Sequence, residues 1–401
     1  MTILEAGKTS PIASAIPRPR SPRLEYLDTV RGLAAVSVIV CHFVLQFGSP
    51  TRWLFVWPIS IAVDASAAVG LFFVLSGIVL SLRFFQLPGE PVIAGYPSFA
   101  ISRILRLWVP FAAATILSFA FSGFAANRWQ TTPPPTAWAE HWWPAPFTFI
   151  DVLNGLNLFR FRDFDLIPQG WTLCYEMIFS LLIPAAILLG RRSSIALAVL
   201  AIFVYKIASV SAFSKVQGVS VVFCLHFTAG LMIAKHRADL LGWARKIPAV
   251  PWILLIPGAL FYNWRFLNHA PWRDQLTYST NRIWIISGFG AAIVLSAAMT
   301  SPRLQKILGH RALSHIGRFS YGIYLLHMFV LLILTPRFLK LLPANMPILN
   351  WWVGLAATIA ASILLAAPFC WVIEKPSIRA GKIIAKFVWF QGSIVSRPRP
   401  D

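Results

Sequence analysis

Three ionisable side chains, Asp28, Arg31 and His42, stand in the otherwise apolar run DTVRGLAAVSVIVCH. An Asp or Arg at the centre of a membrane helix costs about 2.5–3.5 kcal/mol, so a run that keeps such groups asks for a functional reason. Arg31 and His42 are eleven positions apart. At about 100° and about 1.5 Å per residue, they return to within roughly 20° of one helical face and lie about 16 Å apart along the axis. They share a stripe and do not touch. Neutral imidazole, with an ordinary pKa of about 6.5, suits proton transfer at neutral pH, while a guanidinium suits an anion. The same two residues also read as a snorkelling anchor and a satisfied core histidine, so other segments must decide.

Four further segments carry polar groups inside apolar surroundings. SRILRLW places Arg103 and Arg106 three apart on one helical face, an arrangement able to clamp phosphate through bidentate donors near a helix N-terminus. Arg83 can join them, although basic residues also collect at the cytoplasmic ends of membrane helices for topological reasons alone. LFFVLSG carries Ser76 and Gly77. Without a GxSxG elbow, Ser76 reads as a cavity-lining donor rather than a nucleophile. GWTLCYEMIF sets Glu176 beside Trp171 and Tyr175. That carboxylate can orient His42, bind a sugar hydroxyl, act as an acid, or pair with a neighbouring helix. FSYGIYLLH puts Ser320, Tyr324 and His327 on related faces, which look towards a cavity or a partner helix. Glu374, in VIEKP, reads as a partner for a nearby base, and Asp64 as a residue near the opposite interface.

The elements that must position these residues are membrane helices. The chain has 401 residues, of which 57% are hydrophobic and only 12% charged, too apolar for an ordinary soluble protein. Its net charge of +21 sits mainly in short segments between apolar runs, a topological pattern that argues against nucleic acid as the partner. Cys41, Cys174, Cys224 and Cys370 are scattered through apolar runs without CxxC or zinc spacing, so neither a disulfide framework nor a metal site is expected.

The fold class is all-α, a polytopic membrane bundle of about ten helices near 27–47, 59–86, 98–124, 171–189, 194–212, 218–234, 249–264, 281–299, 316–336 and 349–373. The seventh run is the weakest, being short and broken by Pro257 and Gly258. Charge bias predicts cytoplasmic N- and C-termini. The domains are then a basic Pro/Ser-rich tail over 1–25 with Arg18, Arg20 and Arg23, a membrane domain over 26–375, and a basic tail over 376–401 that includes Arg399. The long 125–170 connection carries Trp129, Trp138, Trp142, Trp143, Phe147 and Phe149. It reads as an interfacial aromatic belt or as a stacking surface for a sugar ring.

LDTVRG with His42 following, LFFVLSG, the R-x-x-R of Arg103 and Arg106, WTLCYE, SYGIYLLH and the E-x-P from Glu374 to Pro376 together resemble the integral-membrane acyltransferase 3 family. The resemblance implies acyl transfer from a cytoplasmic acyl-CoA, acetyl-CoA being the expected donor, to a hydroxyl of a surface glycan or lipid-linked sugar. It also implies residence in a bacterial inner membrane and no permanently bound cofactor. By the same resemblance, Arg31 and His42 occupy the family's essential Arg and His positions, and Arg103 and Arg106 its second arginine motif. Glu176, Tyr324 and His327 fall in matching segments with open roles. The sequence departs from common members at Gly70, often polar or acidic, and at Thr172, often Ser. The expected chemistry has Arg103, Arg106 and Arg31 holding the donor phosphates and His42 acting as general base, with Glu176 or His327 orienting it. Direct attack and an acyl-imidazole relay both stay open. A transporter or flippase for an anionic or sugar substrate is the competing class.

Overall fold

The computed structural model describes residues 24–395 apart from 88, 90, 91, 94, 126–130, 132, 141, 144–146, 160–164, 211–219 and 269–280. Trp129, Arg18, Arg20, Arg23 and Arg399 lie outside the described residues. Among the described residues the chain is helical, without strands. We number its main helices α1 (Glu25–Phe47), α2 (Ala65–Gln86), α3 (Tyr96–Ser122), α4 (Phe149–Leu156), α5 (Gly170–Arg192), α6 (Ser194–Val210), α7 (Phe223–Lys235), α8 (Arg237–Lys246), α9 (Val250–Tyr262), α10 (Asn281–Thr300), α11 (Arg311–Arg318), α12 (Ser320–Leu339) and α13 (Pro347–Phe387).

Each of the ten apolar runs contributes helix among the described residues, but the helices are not equally long. Among the described residues, seven helices, α1, α2, α3, α5, α10, α12 and α13, are long and apolar enough to cross a bilayer. α7 and α9 have 13 residues each, about 20 Å of helix against about 30 Å of hydrocarbon. α9 is the run weakened by Pro257, and with α8 it forms a pair bent by 118°. At the other extreme, α13 continues through 375 to Phe387 and has 41 residues, about 60 Å, so one half must leave the hydrocarbon. Lys375, Arg379, Lys382 and Lys386 mark that half.

The second run begins its helix later than its hydropathy suggests. Ile59–Val63 is a 3-10 turn, and Asp64 then caps α2 by accepting from the Ala67 N–H at 3.1 Å. A short carboxylate satisfies one of the orphan donors at a helix start, which fixes the boundary.

Glycines let the helices that carry the polar groups meet backbone to backbone. A Cβ on Gly77 of α2 would collide with the Phe227 carbonyl of α7, and one on Gly230 with the Val74 carbonyl. The Gly of LFFVLSG is therefore a packing residue. Gly32 of α1 likewise abuts Gly317 of α11, which holds the face bearing Arg31 inside the bundle. Gly77→Ala is expected to lower the apparent Tm in detergent by an amount matching about 1–3 kcal/mol of overpacking. Gly242→Ala in α8, where nothing lies within 4 Å, is the control and should raise it slightly, because Ala favours helix by about 1 kcal/mol over Gly. Equal shifts at the two positions would exclude the close-contact explanation.

Candidate active site

A cavity of about 940 Å³ opens among α1, α2, α3, α5, α12 and α13. Arg31, Ser76, Arg103, Arg106, Glu176 and Tyr324, drawn from five separate sequence segments, all line it. The wall also carries Arg83, Arg237, Arg318, Lys375 and Lys382, against the acidic Asp28, Glu176 and Glu374. Cations outnumber acids, and a cleft lined by one sign of charge between low-dielectric walls focuses its field on an anionic ligand.

The two arginines of R-x-x-R differ in what they do. Arg103 is 8% exposed; its Nη2 donates to Glu176 Oε1 at 2.7 Å and its Nε to Ser180 Oγ at 2.9 Å. Ser76 Oγ donates to the same carboxylate oxygen at 3.2 Å. Glu176 thus ties α2, α3 and α5 together. Glu176 pairs with Arg103 of a neighbouring helix, one of the roles its sequence setting left open, and makes no hydrogen bond to His42 among those the structure shows. Arg106, one turn on, is exposed at the mouth. Arg31 lies 3.4 Å from Asp28 within its own helix. Glu374 also faces the cavity, but its buried Oε2 has no hydrogen-bond partner among the described residues, so the expected pairing with a base is not seen at that atom.

Tyr324 lines the cavity from α12. Its hydroxyl meets Thr172 Oγ1 at 2.7 Å, and Thr172 donates onward to the Gln169 carbonyl at 2.9 Å. Beyond Tyr324, off the cavity wall, the two imidazoles of α1 and α12 come together, with His42 Nδ1 at 2.8 Å from His327 Nε2. Their rings are 7° from parallel with centroids 5.1 Å apart. His327 Nδ1 is 2.7 Å from the Tyr324 carbonyl. On its other side the His42 ring stacks on Trp138 at 5.6 Å and 20°. Trp138 is held there because Thr136 donates through its N–H to the Gln46 carbonyl at 2.7 Å and through its hydroxyl to the Leu45 carbonyl at 2.5 Å. The end of α1 therefore carries the loop that covers its own histidine. The other loop aromatics serve differently: Trp143 is buried with Nε1 on the Asp165 carbonyl at 2.9 Å, while Phe149 is exposed.

A family profile for an acyltransferase domain matches residues 24–367. The chain belongs to the acyltransferase 3 family. No match is found among curated proteins or among solved structures. The match takes in the whole cavity lining except the stretch of α13 from Cys370 to Lys382, Glu374 included. The protein is therefore a membrane acyltransferase.

Several contributors to the acyltransferase's site carried no sequence signal. Gln169, just ahead of WTLCYE, is 3% exposed and donates through Nε2 to the carbonyls of Tyr324 at 2.9 Å and Leu325 at 2.8 Å. Arg237 comes from the short helix α8 between two apolar runs and reads in sequence as ordinary loop charge, while Arg318, the last residue of α11, falls inside the ninth apolar run with no motif to single it out there. Gly70, the departure from the family's usual polar or acidic residue, has a physical counterpart in the buried His226 of α7. A Cβ at position 70 would lie 3.3 Å from its Nδ1, and Gly288 of α10 closes the other side of the ring.

Proposed function

We propose that this acyltransferase moves an acyl group, most simply acetyl, from a cytoplasmic acyl-CoA to a hydroxyl of a carbohydrate acceptor such as a surface glycan or lipid-linked sugar. One observation carries the reading: Tyr324, which lines the cationic cavity, holds through its backbone carbonyl one ring of a hydrogen-bonded imidazole pair, His327 with His42. Its volume, about 940 Å³, suits a bound organic ligand, since such pockets span about 300–1,000 Å³. Short basic connections at the same end as the cavity mouth support a mouth that faces the cytoplasm, and the family resemblance supports a bacterial inner membrane as the setting. The donor phosphates lie against the exposed Arg106 with Arg83 and Arg318, and the narrow pantetheine arm runs inward past Arg31 to bring the thioester to Tyr324. The acceptor approaches from the opposite side, along the loop that holds Trp138.

In the reaction, a nitrogen of His42 takes the acceptor hydroxyl's proton as that oxygen attacks the thioester carbonyl. The carbon–sulfur bond then breaks, and the CoA thiolate leaves with the proton held by the imidazolium. Acyl-CoA is a consumed substrate, so the chemistry needs no resident cofactor.

The test is to incubate the purified protein in nanodiscs with acyl-labelled acetyl-CoA and membrane glycans. The expected result is labelled glycan with stoichiometric free CoA; intact acetyl-CoA and unlabelled glycan overturn the proposal. Arg106→Ala in the same assay should raise KM for acetyl-CoA about tenfold with little change in kcat, the value of one charge-assisted hydrogen bond. An unchanged KM removes Arg106 from the phosphate site.

A further inference from the structure

We infer that His327 is a positioning residue that sets the tautomer of His42, so that His42 presents a bare Nε2 to the acceptor. The inference rests on the reading of His42 as the base and assigns the atom that acts. It follows from a chain of directional bonds. A backbone carbonyl can only accept, so the 2.7 Å contact between His327 Nδ1 and the Tyr324 carbonyl puts a proton on Nδ1. A neutral imidazole protonated at Nδ1 has its lone pair at Nε2. That Nε2 lies 2.8 Å from His42 Nδ1, so His42 must be the donor and carries its proton on Nδ1. The remaining nitrogen of His42, Nε2, is left with a lone pair in the ring plane.

The geometry suits this assignment. Rings 7° from parallel, with centroids 5.1 Å apart and nitrogens 2.8 Å apart, lie end to end in a common plane rather than face to face. The hydrogen bond therefore runs along the lone-pair direction. The anchoring carbonyl is itself held, because Gln169 Nε2 donates to it at 2.9 Å. His327 is 0% exposed, so no solvent competes for either ring nitrogen. Orienting a base through its second nitrogen is the role an aspartate plays in a hydrolase triad. Here a neutral acceptor plays it, which spares the bilayer interior a buried anion. When His42 gains the hydroxyl's proton at Nε2, its Nδ1–H keeps donating to His327, so the hydrogen bond survives the step.

Two measurements test the assignment. The first uses the wild-type protein in lipid, 15N-labelled at histidine, with His42→Gln and His327→Gln samples to assign the signals by solid-state NMR. Both residues should show a protonated Nδ1 and an unprotonated Nε2; a protonated Nε2 on neutral His42 overturns the inference without reference to any reaction. The second is kinetic. His327→Leu should lower kcat by about 10²-fold or more, within the range lost with a general base, and leave KM for acetyl-CoA unchanged, because His327 does not line the cavity. His327→Gln should recover a large part of kcat, since its carboxamide oxygen can accept from His42 while its NH2 donates to the Tyr324 carbonyl. Leu and Gln variants of equal kcat would overturn the positioning role. A wild-type protein with the expected tautomers and no transfer to any glycan would refute the proposed reaction and leave the tautomer assignment standing.

Discussion

Replacing His42 with alanine is expected to abolish measurable acyl transfer, a loss of about 10²–10⁴-fold in kcat, while leaving a folded protein that still binds acyl-CoA. Binding persists because the donor cavity is lined by α1 only through residues near its start, Asp28 and Arg31 among them, and not by His42. Folding persists because the imidazole's hydrogen bond is to one neutral partner, so removing it orphans an acceptor rather than a charge. Equilibrium binding of acetyl-CoA by the variant, together with single-turnover transfer, separates the two effects. Transfer at the parental rate would rule out His42 as the base; lost binding would place His42 in the donor site instead.

Arg103→Ala and Glu176→Ala are each expected to destabilise the bundle by about 3 kcal/mol, the lower end of what is lost when one partner of a buried ion pair is removed. The lower end applies because the Glu176 side chain keeps 23% of its surface exposed, against 9% for Arg103. The cost arises because either deletion leaves a charge inside the bundle facing a group that can no longer answer it. Arg103→Met combined with Glu176→Leu should recover much of the loss, and the double-mutant cycle gives the coupling directly. Apparent Tm in detergent measures all three variants. An Arg103→Ala protein as stable as its parent, altered only in KM for acetyl-CoA, would return Arg103 to the phosphate clamp that the R-x-x-R spacing suggests. The contrast with Arg106→Ala is the sharper point, since two arginines one turn apart are expected to fail in different ways.

The difference between those arginines shows how far one dimension reaches. Spacing put Arg103 and Arg106 on one helical face, and they do share it. Spacing could not say that the rotation of α3 against α5 would bring Glu176 and Ser180 to one guanidinium and leave the other at the mouth. The same limit applies to Gly77. Its motif was legible, yet its role as the contact between α2 and α7 depends on a helix more than a hundred positions away. Helix length was also partly hidden. A hydropathy profile registers α7 and α9 as membrane runs, whereas their 13-residue extents depend on where turns and prolines end the hydrogen-bond ladder.

What the chain determined by itself is the all-α membrane bundle, the family, and the short segments in which polar groups interrupt apolar runs. Burying an ionisable side chain in hydrocarbon is expensive, so each one kept there stands out in the bare sequence. What only the tertiary structure decided is which of those groups meet. His42 and His327 are 285 positions apart. Their hydrogen bond exists because helix packing brings α1 beside α12 at one rotation and one depth, and periodicity specifies a residue's face without specifying what that face will touch.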